Sequence, residues 1–328
     1  STACGADTTG QEGNGMQSVA AYTRERRRAK LIKRLGRCWQ LYLLLIPAVV
    51  YIFVFNYMPL YGIQIAFRDY SPRKGYWNSP WVGWKYFERF FSSPDCWNLI
   101  RNTLTLSIYS LVVGFPLPIV VALMLNQCNR TGFKKLVQNA IYAPHFVSMV
   151  VLVGMINVMF SVNSGVVNTV IEMLGGERIL FTGQADCFPH MYVWSGVWQN
   201  MGWNSVIYFA ALSSVSEELH DAAIVDGASK LQRICHIDLP TIMPTITIML
   251  VLQIGQLMNV GFEKVWLMQN NLNLSASETI QTYVYKQGLQ NADYGYSTAV
   301  GLFNNVVNFV LLYTVNTVTR KIGGSSLW

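Results

Sequence analysis

Six stretches of this chain run without a single Asp, Glu, Lys or Arg: residues 38–67, 102–129, 136–171, 187–216, 239–262 and 294–319. Each exceeds the roughly 20 residues an α-helix needs to cross the hydrocarbon of a bilayer. Large soluble proteins also bury long helices, but six such runs separated by polar loops within 328 residues are a membrane pattern. Only 12% of the residues are charged, where soluble domains carry about a quarter. The expected fold is therefore all-α, a polytopic membrane protein with six transmembrane helices and no internal repeat, low-complexity tract or separate soluble domain.

Lysine and arginine set the orientation, because basic residues beside short loops stay on the cytoplasmic face. The stretch "RERRRAKLIKRLGR" places eight of them just before the first window. With the N-terminus inside, the cytoplasmic segments hold 15 of the 24 basic residues, and both termini are cytoplasmic. Residues 1–37 are then expected to be a basic cytoplasmic segment, disordered over its polar, Gly-rich opening, 38–319 the membrane domain, and 320–328 a cytoplasmic tail. No secretory signal is visible, since the first apolar run starts after residue 37 and is too long. A net charge of +7 fits anchoring to anionic lipid headgroups better than nucleic-acid binding.

Chemistry-bearing motifs are scarce. The cysteines at 4, 38, 96, 128, 187 and 235 form no CxxC pair and no zinc spacing, so no metal is expected. Cys96 and Cys187 would both face outside, which leaves a disulfide between them open. There is no G-x-x-x-x-G-K-[ST], H-E-x-x-H or G-x-S-x-G, so no catalytic residue and no cofactor are assigned, and the chain is read as no enzyme. The windows also lack the titrating groups that ion-coupled carriers use. His145, after Pro144, reads as a helix break, and Pro116 with Pro118 should kink or break the second helix. If the chain takes part in driven transport, the energy must come from another subunit.

Amides recur instead: Gln199, Asn200 and Asn204, then Gln253, Gln256 and Asn259, then Asn304, Asn305 and Asn308. In lipid such groups face other helices or a wet cavity. One reading is interhelical glue. The other is a solute path in which these amides, with Trp198, Trp203, Tyr208 and Phe303 for stacking, suit a sugar.

Between the fourth and fifth windows lies "DAAIVDGASKLQRICHIDLP", residues 221–240. Ser214 and Glu217 have capping-box spacing, and Glu217, Glu218 and Asp221 would put negative charge at the positive end of a short helix. Leu219, Ala222, Ala223 and Asp226 share a face of it, Gly227 can end it in a left-handed turn, and Ser229 with Gln232 can cap a second helix. An ordinary solvated loop has the same local character.

The stretch resembles the EAA loop of permease subunits in binding-protein-dependent ABC importers. That signature runs E-A-A, three residues, G, nine residues, I, one residue, L-P, and here reads Asp221-Ala222-Ala223, Gly227, Ile237, Leu239-Pro240. Asp221 replaces the family's Glu. "YGIQIAFRDYSP", "GWKYFERFF", "NTLTLSIYSLVVGFPLPI", "GFEKVWLM", "GLFNNVVN" and "GGSSLW" are similar to carbohydrate permeases of the maltose and multiple-sugar type, closest to the polysaccharide and alginate-oligosaccharide branch. The resemblance implies a bacterial cytoplasmic-membrane permease for an oligosaccharide, working by alternating access. It also implies a second homologous permease, two ABC ATPases that bind ATP and Mg, an extracytoplasmic sugar-binding protein, and a coupling helix within 214–240 docked on the ATPase. An ABC permease for a non-sugar solute and a non-transporting membrane scaffold or signalling subunit are the alternatives.

Overall fold

The computed structural model describes residues 39–128 and 130–321. The basic stretch before the first window, Cys4, Cys38 and the terminal "GGSSLW" lie outside them. The chain divides into two compact units, Ser1–Gln64 and Ile65–Trp328.

In the first unit, α1 (Trp39–Ile52) passes into a wider turn over Phe53–Tyr57 and a tighter one over Met58–Phe67. Pro47 and Pro59 each withhold an N–H from the helical ladder, and the pitch changes between them. Every residue of α1 is exposed, as suits a helix that is apolar all round.

The second unit begins with an aromatic loop pinned by Arg68, whose guanidinium donates to the carbonyl of Tyr76 at 2.7 Å. α2 (Lys85–Phe91) follows. Burial and a 3.1 Å hydrogen bond to Asp69 push the Tyr86 hydroxyl in α2 up to about 12. α3 (Asp95–Gly114) continues through Phe115 into α4 (Pro116–Asn126). Pro116 and Pro118 were expected to kink or break this helix, and it is interrupted at Phe115, although Asp95–Asn126 is still long and apolar enough to count as one span. The Phe115 N–H still donates to Leu111, and the two prolines occupy the first turn of α4, where a missing donor costs least.

The third window behaves differently. α5 (Thr131–Tyr142) and α6 (Met149–Met159) are separated by a short tight turn at Ala143–Phe146 and bent by 98°. Pro144 withholds a donor, and the Ser148 hydroxyl starts α6 by accepting from the Val151 N–H. α7 (Val166–Met173), α8 (Cys187–Leu212) and α9 (Glu217–Val225) follow. α10 (Lys230–Arg233) runs through a wider turn at Ile234–Asp238 into α11 (Leu239–Ile254). After α12 (Phe262–Met268) and α13 (Ile280–Tyr285) comes the long α14 (Tyr294–Lys321).

By length and composition, four helical runs can cross a membrane: 39–67, 95–126, 230–254 and 294–321; the bent pair makes five if it counts as one. α8, the fourth window, is long enough at 26 residues but too polar to join them on composition. It packs instead as the hub of the bundle, against α3, α4, α5 and α11. Gly202 sets its approach to α5, because a Cβ there would run into the Ile141 carbonyl. Among the described residues all regular structure is helical, apart from a single bridge between Arg68 and Trp81. Cys96 and Cys187 are both free thiols, so the disulfide left open between them is absent.

Candidate functional site

The 217–240 segment forms a projecting arm. Its first cap is Ser216, whose hydroxyl accepts from the Glu218 N–H at 3.2 Å. Ser214, expected in that role, is turned back to donate to the Ala211 carbonyl, so the cap lies two residues later than the spacing indicated. Glu217, Glu218 and Asp221 lie exposed near the positive end of α9. At the other end Gly227 has φ of +79°, and the Ala228 N–H closes back on Ala223 at 2.8 Å. Ser229 and Gln232 form the expected capping box of α10.

No residue of α9 is buried. Val225 is 88% exposed, and Leu231, Leu219 and Ile224 are more than half exposed, beside Ala222 and Asp226. Ala223, Ile237 and Leu239 are half-buried and Pro240 is exposed. The inner anchor is Asp238, fully buried. One of its oxygens lies 3.1 Å from His220 Nε2 on α9 and the other accepts from Gln127 Nε2 at 2.9 Å. Gln127 caps α4. The arm, the start of α11 and the end of the 95–126 span thus meet at one carboxylate. Sequence reasoning missed His220 and Gln127, which no motif marks.

The amides divide into two groups. Gln199 donates to the Val147 carbonyl at 2.9 Å and Asn200 Oδ1 lies 3.0 Å from His145 Nδ1. Both brace the break between α5 and α6. Farther on, Asn259 Oδ1 lies 3.1–3.2 Å from the amide nitrogens of Gln281, Asn304 and Asn308, while Asn259 Nδ2 donates to Gln256. Asn308 Oδ1 accepts from the Met258 N–H, so this group ties the end of α11 to α13 and α14. These bonds tie helices together, and several of the same residues also border cavities.

Others are open. Asn204 and Gln253 make no side-chain hydrogen bond among the described residues, and with Ser110 they line a cavity of about 300 Å³ that Gln199 and Asn200 also border. It adjoins a cavity of about 220 Å³ carrying Gln256 and Asn259, the two sharing Ser110, Tyr192, Gln253 and Gly261. A third, of about 470 Å³, is lined by Asn259, Gln281, Asn304 and Asn305. Asn304 Oδ1 and Gln281 Oε1 are buried there without a donor, which is what a sugar hydroxyl supplies.

The aromatic residues take other posts. Trp203 stacks on His145 with centroids 4.7 Å apart. Tyr208 packs edge-on to Phe115, Phe303 packs against Phe90 and Phe91, and Trp198 borders an apolar cavity. Tyr208 is buried and Phe303 half-buried among these neighbours. A charged residue the sequence reading passed over, Lys264 of α12, also borders the 300 Å³ cavity. Its ammonium donates to the Tyr192 carbonyl at 2.7 Å.

Comparison with known proteins agrees with this architecture. Residues 97–324 match the model of the family described as binding-protein-dependent transport system inner membrane component. The chain is 45% identical over 288 residues to protein LplB of Bacillus subtilis, covering 88% of this chain and 91% of that one. It is 39% identical over 307 residues to a polygalacturonan/rhamnogalacturonan transport system permease protein, YteP, of the same organism, covering 94% and 95%. Among solved structures, a bacterial ABC transporter that imports the acidic polysaccharide alginate superposes with a TM-score of 0.83 at 38% identity, over 89% of this chain and 99% of that one. A bacterial alginate ABC transporter in complex with an alginate pentasaccharide-bound periplasmic protein gives 0.82 at 38% identity, over 90% and 99%. The chain is an integral membrane protein that belongs to the inner membrane components of binding-protein-dependent transport systems.

Proposed function

We propose that this chain is the transmembrane permease subunit of an ATP-driven oligosaccharide importer. It would pair with a second, homologous permease, two cytoplasmic ATPases that hold ATP and Mg, and an extracytoplasmic sugar-binding protein. Residues 38–319 form the permease domain, crossing six times with both termini cytoplasmic. α8 is the crossing that composition does not support; its polar side chains are accommodated because it sits inside the bundle, and the bent α5–α6 pair serves as a broken crossing.

The observation that carries this reading is the arm. An exposed helix with uncovered Leu219, Ile224 and Val225 is a surface made for a partner, and Asp238 connects it to two spans. Docking of α9 on an ATPase, with Asp221 and Asp226 facing its polar groups and Ala222 allowing close approach, would turn ATPase closure into a movement of α4 and α11. The solute then meets the open amides beside α8 and α11. The relatives that act on polygalacturonan and alginate support a saccharide as that solute.

Reconstitution of the complex with its ATPase and binding protein tests this. ATP-dependent uptake of an oligosaccharide into vesicles is expected, and Gly227→Arg should hydrolyse ATP without uptake. Absence of any copurifying ATPase, or normal coupling in Gly227→Arg, would overturn the reading.

A further inference from the structure

Lys264 is the feature that a neutral-sugar path does not explain. It lies on the inner face of α12 with Val265 and Met268, and is 4% exposed. Buried ammonium groups are normally held by a carboxylate, because an unpaired charge away from water is expensive. Among the described residues no carboxylate lies within ion-pair distance of it; the four ion pairs there use other residues. Its ammonium has the Tyr192 carbonyl at 2.7 Å and the Tyr192 ring centroid at 4.8 Å. An ammonium has three N–H donors, so two remain after that bond.

Those donors have room. Lys264 borders the cavity of about 300 Å³, and a Cβ on Gly196 would come within 3.1 Å of Nζ. Across the cavity stand Ser110, Asn204 and Gln253, uncommitted among the described residues. No other Lys, Arg, Asp or Glu lines this cavity or the adjoining one. The result is a run of neutral donors and acceptors around one amine, whose pKa burial lowers to about 7, so that a carboxylate placed beside it would hold it in the charged form.

We infer that Lys264 receives a carboxylate of the transported saccharide, so that the solute class is a uronate-bearing oligosaccharide whose hydroxyls are met by Asn204 and Gln253. This rests on the permease reading above and adds the charge of its solute. A neutral sugar in the same place would leave the ammonium unmatched, whereas a uronate completes it with charge-assisted hydrogen bonds. The acidic cargo of the alginate importer is consistent with that chemistry. The competing account makes Lys264 a brace from α12 to the Tyr192 carbonyl and nothing more.

Equilibrium binding to the detergent-solubilised complex, where both sides of the membrane domain are open to ligand, separates the two. The probes are trisaccharides of galacturonate, mannuronate, guluronate and glucuronate, their methyl esters, and the neutral trisaccharides of the same linkages. For at least one uronate, the wild type should bind the acid about tenfold or more tightly than its ester, the size of one charge-assisted contact. Lys264→Met should bring acid and ester to equal affinity without weakening the ester, and Lys264→Arg should keep most of the preference. Equal weakening of acid and ester by Lys264→Met, or a wild type that binds esters and neutral sugars as well as acids, would overturn the inference and leave the importer reading intact. If Lys264→Met does not assemble, the acid-to-ester ratio of the wild type decides alone. Binding of no saccharide at all would overturn both.

Discussion

His220 Nε2 on the exposed arm lies 3.1 Å from Oδ1 of Asp238, a fully buried carboxylate whose other oxygen accepts from Gln127. A displacement of α9 would therefore pull, through these two hydrogen bonds, on the start of α11 and the end of the 95–126 span. His220→Ala should leave the complex assembled but lower the solute moved per ATP hydrolysed by about tenfold, the order expected for a hydrogen bond to a charged group. His220→Gln, which can still donate, should recover most of it. Parallel measurement of ATP hydrolysis and uptake in proteoliposomes reads this ratio; wild-type coupling in His220→Ala would show that the arm acts through other contacts.

Gly227 separates conformation from bulk. Its φ of +79° lies in the left-handed region, and a Cβ there would meet nothing within 4 Å. Gly227→Ala should thus cost about 1–2 kcal/mol through backbone strain alone. Asn tolerates that region better than Ala although it is larger. ATPase retention during purification should fall in the order Gly, Asn, Ala; retention of Ala above Asn would mean that size at the docked surface, not the turn, is what the glycine provides.

How much of this was readable beforehand follows from where the information lies. The arm was legible because Asp221-Ala222-Ala223, Gly227 and Leu239-Pro240 carry a fixed spacing, and Gly227 does take the left-handed turn that spacing called for. The cap fell to Ser216 rather than Ser214 because two serines compete for one N-terminus and tertiary geometry chooses. The third window read as one span because it carries no charge, yet Pro144 and the 98° bend at Ala143–Phe146 divide it. Its stability depends on Gln199 and Asn200, residues more than 50 positions away, which no local pattern reveals. Lys264 carries no motif and lies two residues past a charge-free window. Its spacing with Val265 and Met268 on one helical face was the available signal.

Asn259 and Asn305 both carry amides, but they should fail differently. Asn259 Oδ1 is shared by Gln281, Asn304 and Asn308, so Asn259→Leu leaves three amide donors without an acceptor near the junction of α11, α13 and α14. For the buried Asn304 and Asn308 the lost partner costs about 1–3 kcal/mol each, and this variant should assemble poorly. Asn305 is exposed and borders the 470 Å³ cavity without a hydrogen bond of its own among the described residues. Asn305→Leu should assemble as the wild type does and slow uptake. Size-exclusion yield and uptake rate distinguish them; normal yield for Asn259→Leu would remove it from the role of a tie.

The break between α5 and α6 gives the last test. Val147 has extended backbone beyond the tight turn, so its carbonyl has no helical donor and is met by Gln199 Nε2 at 2.9 Å. His145, stacked on Trp203, is held from the same helix by Asn200. Gln199→Leu keeps the volume and removes the donor, leaving a carbonyl unsatisfied at a cost of about 1–3 kcal/mol. Gly202→Ala acts one turn farther on through contact alone, since its Cβ would push against the Ile141 carbonyl and separate α5 from α8. Both variants should lower the thermal midpoint of the purified protein. If α8 organises the broken crossing as the packing indicates, the double variant should lose less than the sum of the singles, because once α5 has been moved away from Gly202 the Gln199 bond is already lost. Strict additivity of the two shifts would mean that the break is held locally by Pro144 and Ser148, and that α8 lies beside it without supporting it.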